Sequence, residues 1–180
     1  MSSFYSLDEL FNLNLAKFGS NVLISRFAQI YNPQNLEIGN NVRIDDFCII
    51  SAGIGTKIGS HVHISAYVGI WANRGLTISD YCNISMGSRI LTESDDFTGL
   101  ALVGPMFPIE KRKLHGGPMI IQKFVNIGAN VTILPLSEIP EGAAIGAGSL
   151  VVKPLKAWSI NFGCPAKFVR ERSREMLKLL

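Results

Sequence analysis

The chain has 180 residues, with 17 Lys and Arg against 14 Asp and Glu, and its net charge of +3 is too weakly basic to argue for a nucleic-acid partner. The hydrophobic fraction of 47% is ordinary, but the charged fraction of 17% is below the ~25% typical of globular domains, so partner subunits are expected to cover part of the surface. This length buries a core as one domain without staples, and Cys48, Cys82 and Cys164 form no metal-type C-x-x-C pair, which fits a reducing compartment.

The opening MSSFYSLDELFNL lacks the basic start and long apolar run of a signal peptide, and no apolar stretch reaches membrane-spanning length, so a cytoplasmic protein without membrane insertion is expected. Ser6-Leu-Asp-Glu9 is a capping box ahead of Leu10, Phe11 and Leu13, so residues 1–20 are read as an N-terminal cap with a short helix.

Residues 21–92 carry a different beat. Ile38, Ile44, Ile50, then Ile58, Ile64, Ile70, then Ile78, Ile84, Ile90 recur at six-residue spacing, each triplet twenty residues after the last. Neither a helix nor a hairpin has that period; stacked coils do. Three hexads make eighteen residues, so two extra residues fall at one corner of each coil, near Asn32-Pro33, Ala52-Gly53 and Ala72-Asn73. The residue four places after each aliphatic should also face inward, which gives Val42, Cys48, Val62, Val68, Cys82, Ser88, Val125, Val131, Ser137, Ala143 and Ser149 interior places. His61 and His63 flank inward Val62 and therefore point outward. His63 is the functional candidate of the two, and His61 is read as solvent-exposed.

The beat stops after Ile90 and resumes near Met119. The excursion 93–119 holds Glu93-Ser-Asp-Asp96, the basic run Lys111-Arg-Lys113 and His115-Gly-Gly-Pro118, and loops of this length are usually functional. Coils resume over 120–153 with Ile121, Ile127, Ile133, Ile139, Ile145 and Val151. The tail 154–180 places Phe168, Val169, Met176, Leu177 and Leu180 among bases at roughly helical spacing, which predicts an amphipathic closing helix. Residues 153–178 hold seven bases against two acids, a local +5 suited to a polyphosphate ligand.

The hexads Ile38-Gly-Asn-Asn-Val-Arg, Ile58-Gly-Ser-His-Val-His, Ile127-Gly-Ala-Asn-Val-Thr and Ile145-Gly-Ala-Gly-Ser-Leu resemble those of the bacterial hexapeptide-repeat transferases, from about Asn21 to Arg172. The stretches 145–153 and 161–170 are similar to the closing signature of sugar O- and N-acetyltransferases, galactoside acetyltransferase among them. The resemblance implies an all-β, left-handed parallel β-helix with short capping helices at the termini. It also implies a homotrimer, acetyl-coenzyme A as cosubstrate between subunits, no metal, and a sugar or nucleotide-sugar acceptor of surface polysaccharide biosynthesis. In that alignment Ala129 and Ala147 match positions along the pantetheine arm and Lys153 one near the nucleotide end; Gly146, and Lys167 and Arg170 of the basic tail, are further candidates for binding coenzyme A.

Where galactoside acetyltransferase has its catalytic histidine, this sequence has Asp95, and Glu93–Thr98 resembles a branch of polysaccharide-biosynthesis acetyltransferases. Asp95 or His63 is the expected base, Asp96 the orienting group and His115 the reserve, while Asn73 and Glu93 are expected to bind the acceptor. An unprotonated amine would need only weak base catalysis. Two other readings stand beside the transferase. One is a non-catalytic β-helix scaffold; the other is a zinc hydratase resembling the γ-type carbonic anhydrases, which use three histidines.

Overall fold

A hexad supplies one short strand and one corner, because its aliphatic and the residue four places on both point inward while the chain turns between them. The computed structural model describes residues 3–136 and 138–180 and shows three parallel faces wound into about seven left-handed coils. The first face runs from Lys17–Phe18 to Glu138–Ile139, the second from Val22–Ile24 to Ser159–Phe162, and the third from Gln29–Tyr31 to Leu150–Val151. The first coil thus begins inside the segment expected as a cap.

Register is exact in type as well as position. Ile44, Ile64, Ile84, Ile127 and Ile145 stack on one another along the second face, and Ile50, Ile70, Ile90, Ile133 and Val151 along the third. All are essentially sealed from water, each contributing about 1.5–3 kcal/mol of burial. The residues expected to share the interior do so; Ser137 lies outside the described residues. Buried Ser88 and Ser149 donate their hydroxyls to Gly128 O (2.9 Å) and Gly146 O (2.7 Å), which satisfies polar groups in an otherwise apolar core.

The corner between the first and second faces is a ladder of left-handed residues: Asn21, Asn41, His61, Tyr81, Phe124, Gly142 and Trp158 all have positive φ. For a bulky side chain this conformation costs on the order of 1 kcal/mol. Stacking offsets it. The His61, Tyr81 and Phe124 rings lie 5.0 and 5.1 Å apart and nearly parallel, Trp158 follows at 5.9 Å, and Arg174 caps the indole. His61 is exposed, as expected, but its ring face is spent on Tyr81.

The corner between the third and first faces carries the surplus residues, including the 3-10 turn Pro33–Asn35. The long excursion leaves from this same corner, between Leu91 and Met119. At the N-terminus the helix Leu7–Asn12 has the expected capping box, with Ser6 N–H donating to Glu9 (2.7 Å) and Glu9 N–H to Ser6 Oγ (3.4 Å). The C-terminus departs from expectation. Instead of an amphipathic helix, Lys167–Glu171 pairs antiparallel with Ser159–Phe162, and a 3-10 turn, Glu175–Leu179, follows. The last coil would otherwise leave a strand edge unpaired, and satisfying it outweighs the helical spacing of the apolar residues. Arg172 fixes this end by donating to Phe124 O (2.7 Å) and Gly142 O (3.0 Å).

Burial pushes the thiols of Cys48 and Cys82 up to about 11 and about 12, whereas Cys164 is exposed. A native thiol titration should therefore show one fast group, lost in Cys164→Ser, with two more appearing only on unfolding; three fast thiols would contradict the packing.

Candidate active site

The excursion is fastened to the coil at its base. Buried Thr92 donates its N–H and its hydroxyl to Trp71 O (3.0 and 3.1 Å), and the hydroxyl accepts from Arg74 N–H (3.0 Å). On the return side Gly117 N–H donates to Thr92 O (3.1 Å) and Met119 N–H to Gly75 O (3.2 Å). From this base Glu93–Asp95 and Leu114–Gly116 rise as an antiparallel hairpin, with Ser94 opposite His115. Glu93 forms an ion pair with Arg74, which ties the hairpin to the neighbouring corner.

A cleft of about 400 Å3 lies between the hairpin and the third face. Trp71, Asn73, Arg89 and Leu91 line the coil side; Glu93, Ser94, Asp95, Pro105, Arg112 and Leu114 line the hairpin side. Three expected site residues, Asn73, Glu93 and Asp95, are thus brought together. Asp95 accepts from the Arg112 guanidinium at 3.0 Å, which holds the carboxylate in place at the cleft. Asn73 Oδ1 accepts from the Ser51 hydroxyl (3.3 Å), and its backbone is not left-handed; Gly75, at φ +89°, supplies that turn. A larger apolar hollow of about 840 Å3 lies at the N-terminal end around Leu7, Leu10 and Phe11. It offers no titratable group beyond Tyr5 and Lys17, so size alone does not make it the site.

Asp96 goes elsewhere. Successive residues of an extended chain face opposite ways, and its buried carboxylate accepts from Thr98 Oγ1 (2.7 Å) and Leu100 N–H (2.9 Å), with His115 Nε2 at 3.5 Å. These bonds, the Thr98 hydroxyl above all, hold its carboxyl well below the usual range. Asp96 and His115 therefore brace the excursion and do not line the cleft.

His63 lies on the second face, away from the cleft lining. Its Nε2 stands 2.8 Å from Asp45 Oδ2 and its Nδ1 3.2 Å from Asn83 Oδ1. Burial alone would raise the Asp45 carboxyl, but hydrogen bonds from His63 and Arg43 outweigh it and hold the group below its ordinary value. Both ring nitrogens of His63 are occupied. Asn83 in turn donates to Asn126 Oδ1 (3.0 Å) and Ser85 Oγ (3.3 Å), and Ser85, which sequence reasoning passed over, is half-buried at the corner between the second and third faces.

On that corner, coils further on, Ala129 and Ala147 present N–H groups that have no hydrogen-bond partner among the described residues. The Phe162 ring covers Gly146 so closely that a Cβ there would collide with it. Of the basic tail, Arg172 is structural, Lys156 and Lys178 pair with Glu171 and Glu175, and Arg174 stacks on Trp158. Lys153, Lys167 and Arg170 have no ion-pair partner among the described residues. The three histidines sit on a corner, a face and the hairpin, and among the described residues no three His, Cys, Asp or Glu side chains group as metal ligands.

The left-handed coil of hexads is the architecture of the hexapeptide-repeat acyltransferases. No family model matches the sequence. AntD, an N-acyltransferase from Bacillus cereus solved with dTDP and 3-hydroxybutyryl-CoA, is 43% identical, with a TM-score of 0.95 over 99% of this chain and 95% of that one. A variant of AntD was solved with dTDP-4-amino-4,6-dideoxyglucose and coenzyme A. The dTDP-4-amino-4,6-dideoxy-D-glucose acyltransferase of Escherichia coli is 42% identical over 99 residues, 55% of this chain and 52% of the relative, so the match spans about half of that protein. The hexapeptide-repeat acetyltransferase VCA0836 of Vibrio cholerae, 20% identical with a TM-score of 0.58, shares the fold. The chain belongs to the hexapeptide-repeat acyltransferase family, in the branch that contains AntD. AntD has also been solved as variants of one serine and of one aspartate, each with dTDP and coenzyme A.

Because the Asp96 carboxyl is depressed on folding, its bracing of the loop is complete above about pH 4 and is lost as pH falls below that toward the folded value. Asp96→Asn should speed proteolytic nicking around exposed Phe97 and Met106 at neutral pH while leaving the melting temperature of the coil nearly unchanged. Unchanged nicking would contradict the bracing role.

Proposed function

We propose that this protein is an acyl-coenzyme A-dependent N-acyltransferase acting on a nucleotide-linked amino sugar in the cytoplasm, in the biosynthesis of a surface polysaccharide. The observation that carries this reading is the cleft in which Arg112 holds the Asp95 carboxylate. An amine acceptor is favoured over a hydroxyl because no uncommitted histidine lines the cleft. His63 is engaged by Asp45 and Asn83, His115 stands against Asp96, and His61 stacks on Tyr81.

In the proposed reaction the unprotonated amine attacks the thioester carbonyl directly. A C–N bond forms, the C–S bond breaks, the amine loses a proton and coenzyme A leaves as the thiol. Asp95 orients the amine by accepting a hydrogen bond, takes up its proton as the tetrahedral intermediate forms, and gives that proton to the departing sulfur as the C–S bond breaks, which restores the carboxylate. The free N–H groups of Ala129 and Ala147 suit the amide oxygens of a pantetheine arm, with Lys153, Lys167 and Arg170 available to the phosphates. A homotrimer would enclose that arm between neighbouring copies, in keeping with the low surface charge.

With dTDP-4-amino-4,6-dideoxyglucose and acetyl-coenzyme A, acyl transfer is expected, and Asp95→Asn should lower kcat/KM by about 10²–10⁴ with unchanged thermal stability. Lys153→Ala should weaken coenzyme A binding without touching the acceptor KM. A wild-type protein that binds no coenzyme A at millimolar concentration would overturn the reading in favour of a scaffold, and full activity in Asp95→Asn would remove Asp95 from the reaction.

A further inference from the structure

The floor of the cleft has a feature that neither the coil nor the proposed chemistry requires. Gly69 and Trp71 are two apart on one third-face strand, so both point outward. A Cβ at Gly69 would lie 2.5 and 2.6 Å from indole atoms Cζ3 and Cη2. The indole therefore reaches back along the strand and lies across Gly69, which it buries, while the Trp71 side of the cleft remains open with the residue 36% exposed. Along the same ladder Gln29, Ile49 and Arg89 all carry side chains, and only a glycine at 69 lets the ring lie down.

Arg89 stands directly beside Gly69 in register and has no ion-pair partner among the described residues. On the facing hairpin, Arg112 gives one nitrogen to Asp95, but its Nε is buried without a hydrogen-bond partner among the described residues. A flat, partly open apolar ring and a cation without an ion-pair partner among the described residues, side by side on one cleft, match a planar base joined to a diphosphate.

We propose that Trp71 is the stacking platform for the pyrimidine base of the nucleotide-sugar acceptor, with Arg89 taking the diphosphate. This rests on the nucleotide-sugar reading above and adds to it which residues hold the nucleotide half. Trp71 binds and does not react, so its loss acts on acceptor affinity.

The chain has two tryptophans, and Trp158 is buried at the far end of the coil. Titration of the full-length protein with dTDP, which lacks the sugar, should quench tryptophan fluorescence, and Trp71→Phe should abolish the quench. By calorimetry, Trp71→Ala should weaken dTDP about 10- to 100-fold, the range of base–aromatic stacking, and Trp71→Phe much less. Gly69→Ala should also weaken dTDP, because the ring is displaced though still present. Unchanged coenzyme A affinity in each variant certifies the fold. If Trp71→Ala and Gly69→Ala bind dTDP as the wild type does, the platform is wrong and the nucleotide-sugar reading survives. A wild type that binds coenzyme A but no dTDP overturns both.

Discussion

Everything in this protein depends on each coil laying its inward residues directly on the same residues of the coil before. Parallel pairing fixes the register, and the register leaves the chain no freedom over which side chains face in. An isoleucine every six residues then fills the interior at constant cross-section, and small residues such as Cys48, Cys82 and Ser88 take the inward places between. Chemistry can be added only where the stack does not use the chain, at outward positions and at corners. The excursion obeys this rule, since it leaves from the corner that already carries surplus residues in earlier coils.

The hairpin shows how an exposed segment becomes a defined site. Thr92 satisfies three backbone groups at the exit, Glu93 is tied to Arg74, and Asp96 gathers Thr98, Leu100 and His115 on the side away from the cleft. Two adjacent aspartates with the same intrinsic chemistry are thereby given different work: Asp95 faces the cleft under Arg112, and Asp96 is consumed in holding the loop. The coenzyme A candidates Ala129 and Ala147 lie along the corner between the second and third faces, and the cleft lies at the other border of the third face.

Periodicity made the coil legible because each hexad repeats a local decision that the next coil reinforces. The interior positions, the outward pair His61 and His63, and the corner of the extra residues were all readable from spacing. What spacing could not show depends on contacts between distant residues. The antiparallel hairpin is too short to display a period, and the terminal strand Lys167–Glu171 exists because the last coil needed a partner, against a local pattern that read as helix. Asp95 and Asp96 were both visible as candidates, and what separates them is their partners in the folded chain, Arg112 for Asp95 and Thr98, Leu100 and His115 for Asp96. His63 looked available in sequence, and the Asp45 and Asn83 oxygens that occupy it lie 18 residues before and 20 after. Ser85 gave no local signal, and its place beside Asn83 is visible only in the fold.

A crystal structure with coenzyme A and dTDP-4-amino-4,6-dideoxyglucose bound together bears most directly on the cleft as the acceptor site. The arrangement predicts the sugar between the hairpin and the third face, its amine within hydrogen-bond distance of Asp95, and the pantetheine arm along Ala129 and Ala147. A nucleotide sugar seated away from Asp95, or coenzyme A on the first face, would contradict it.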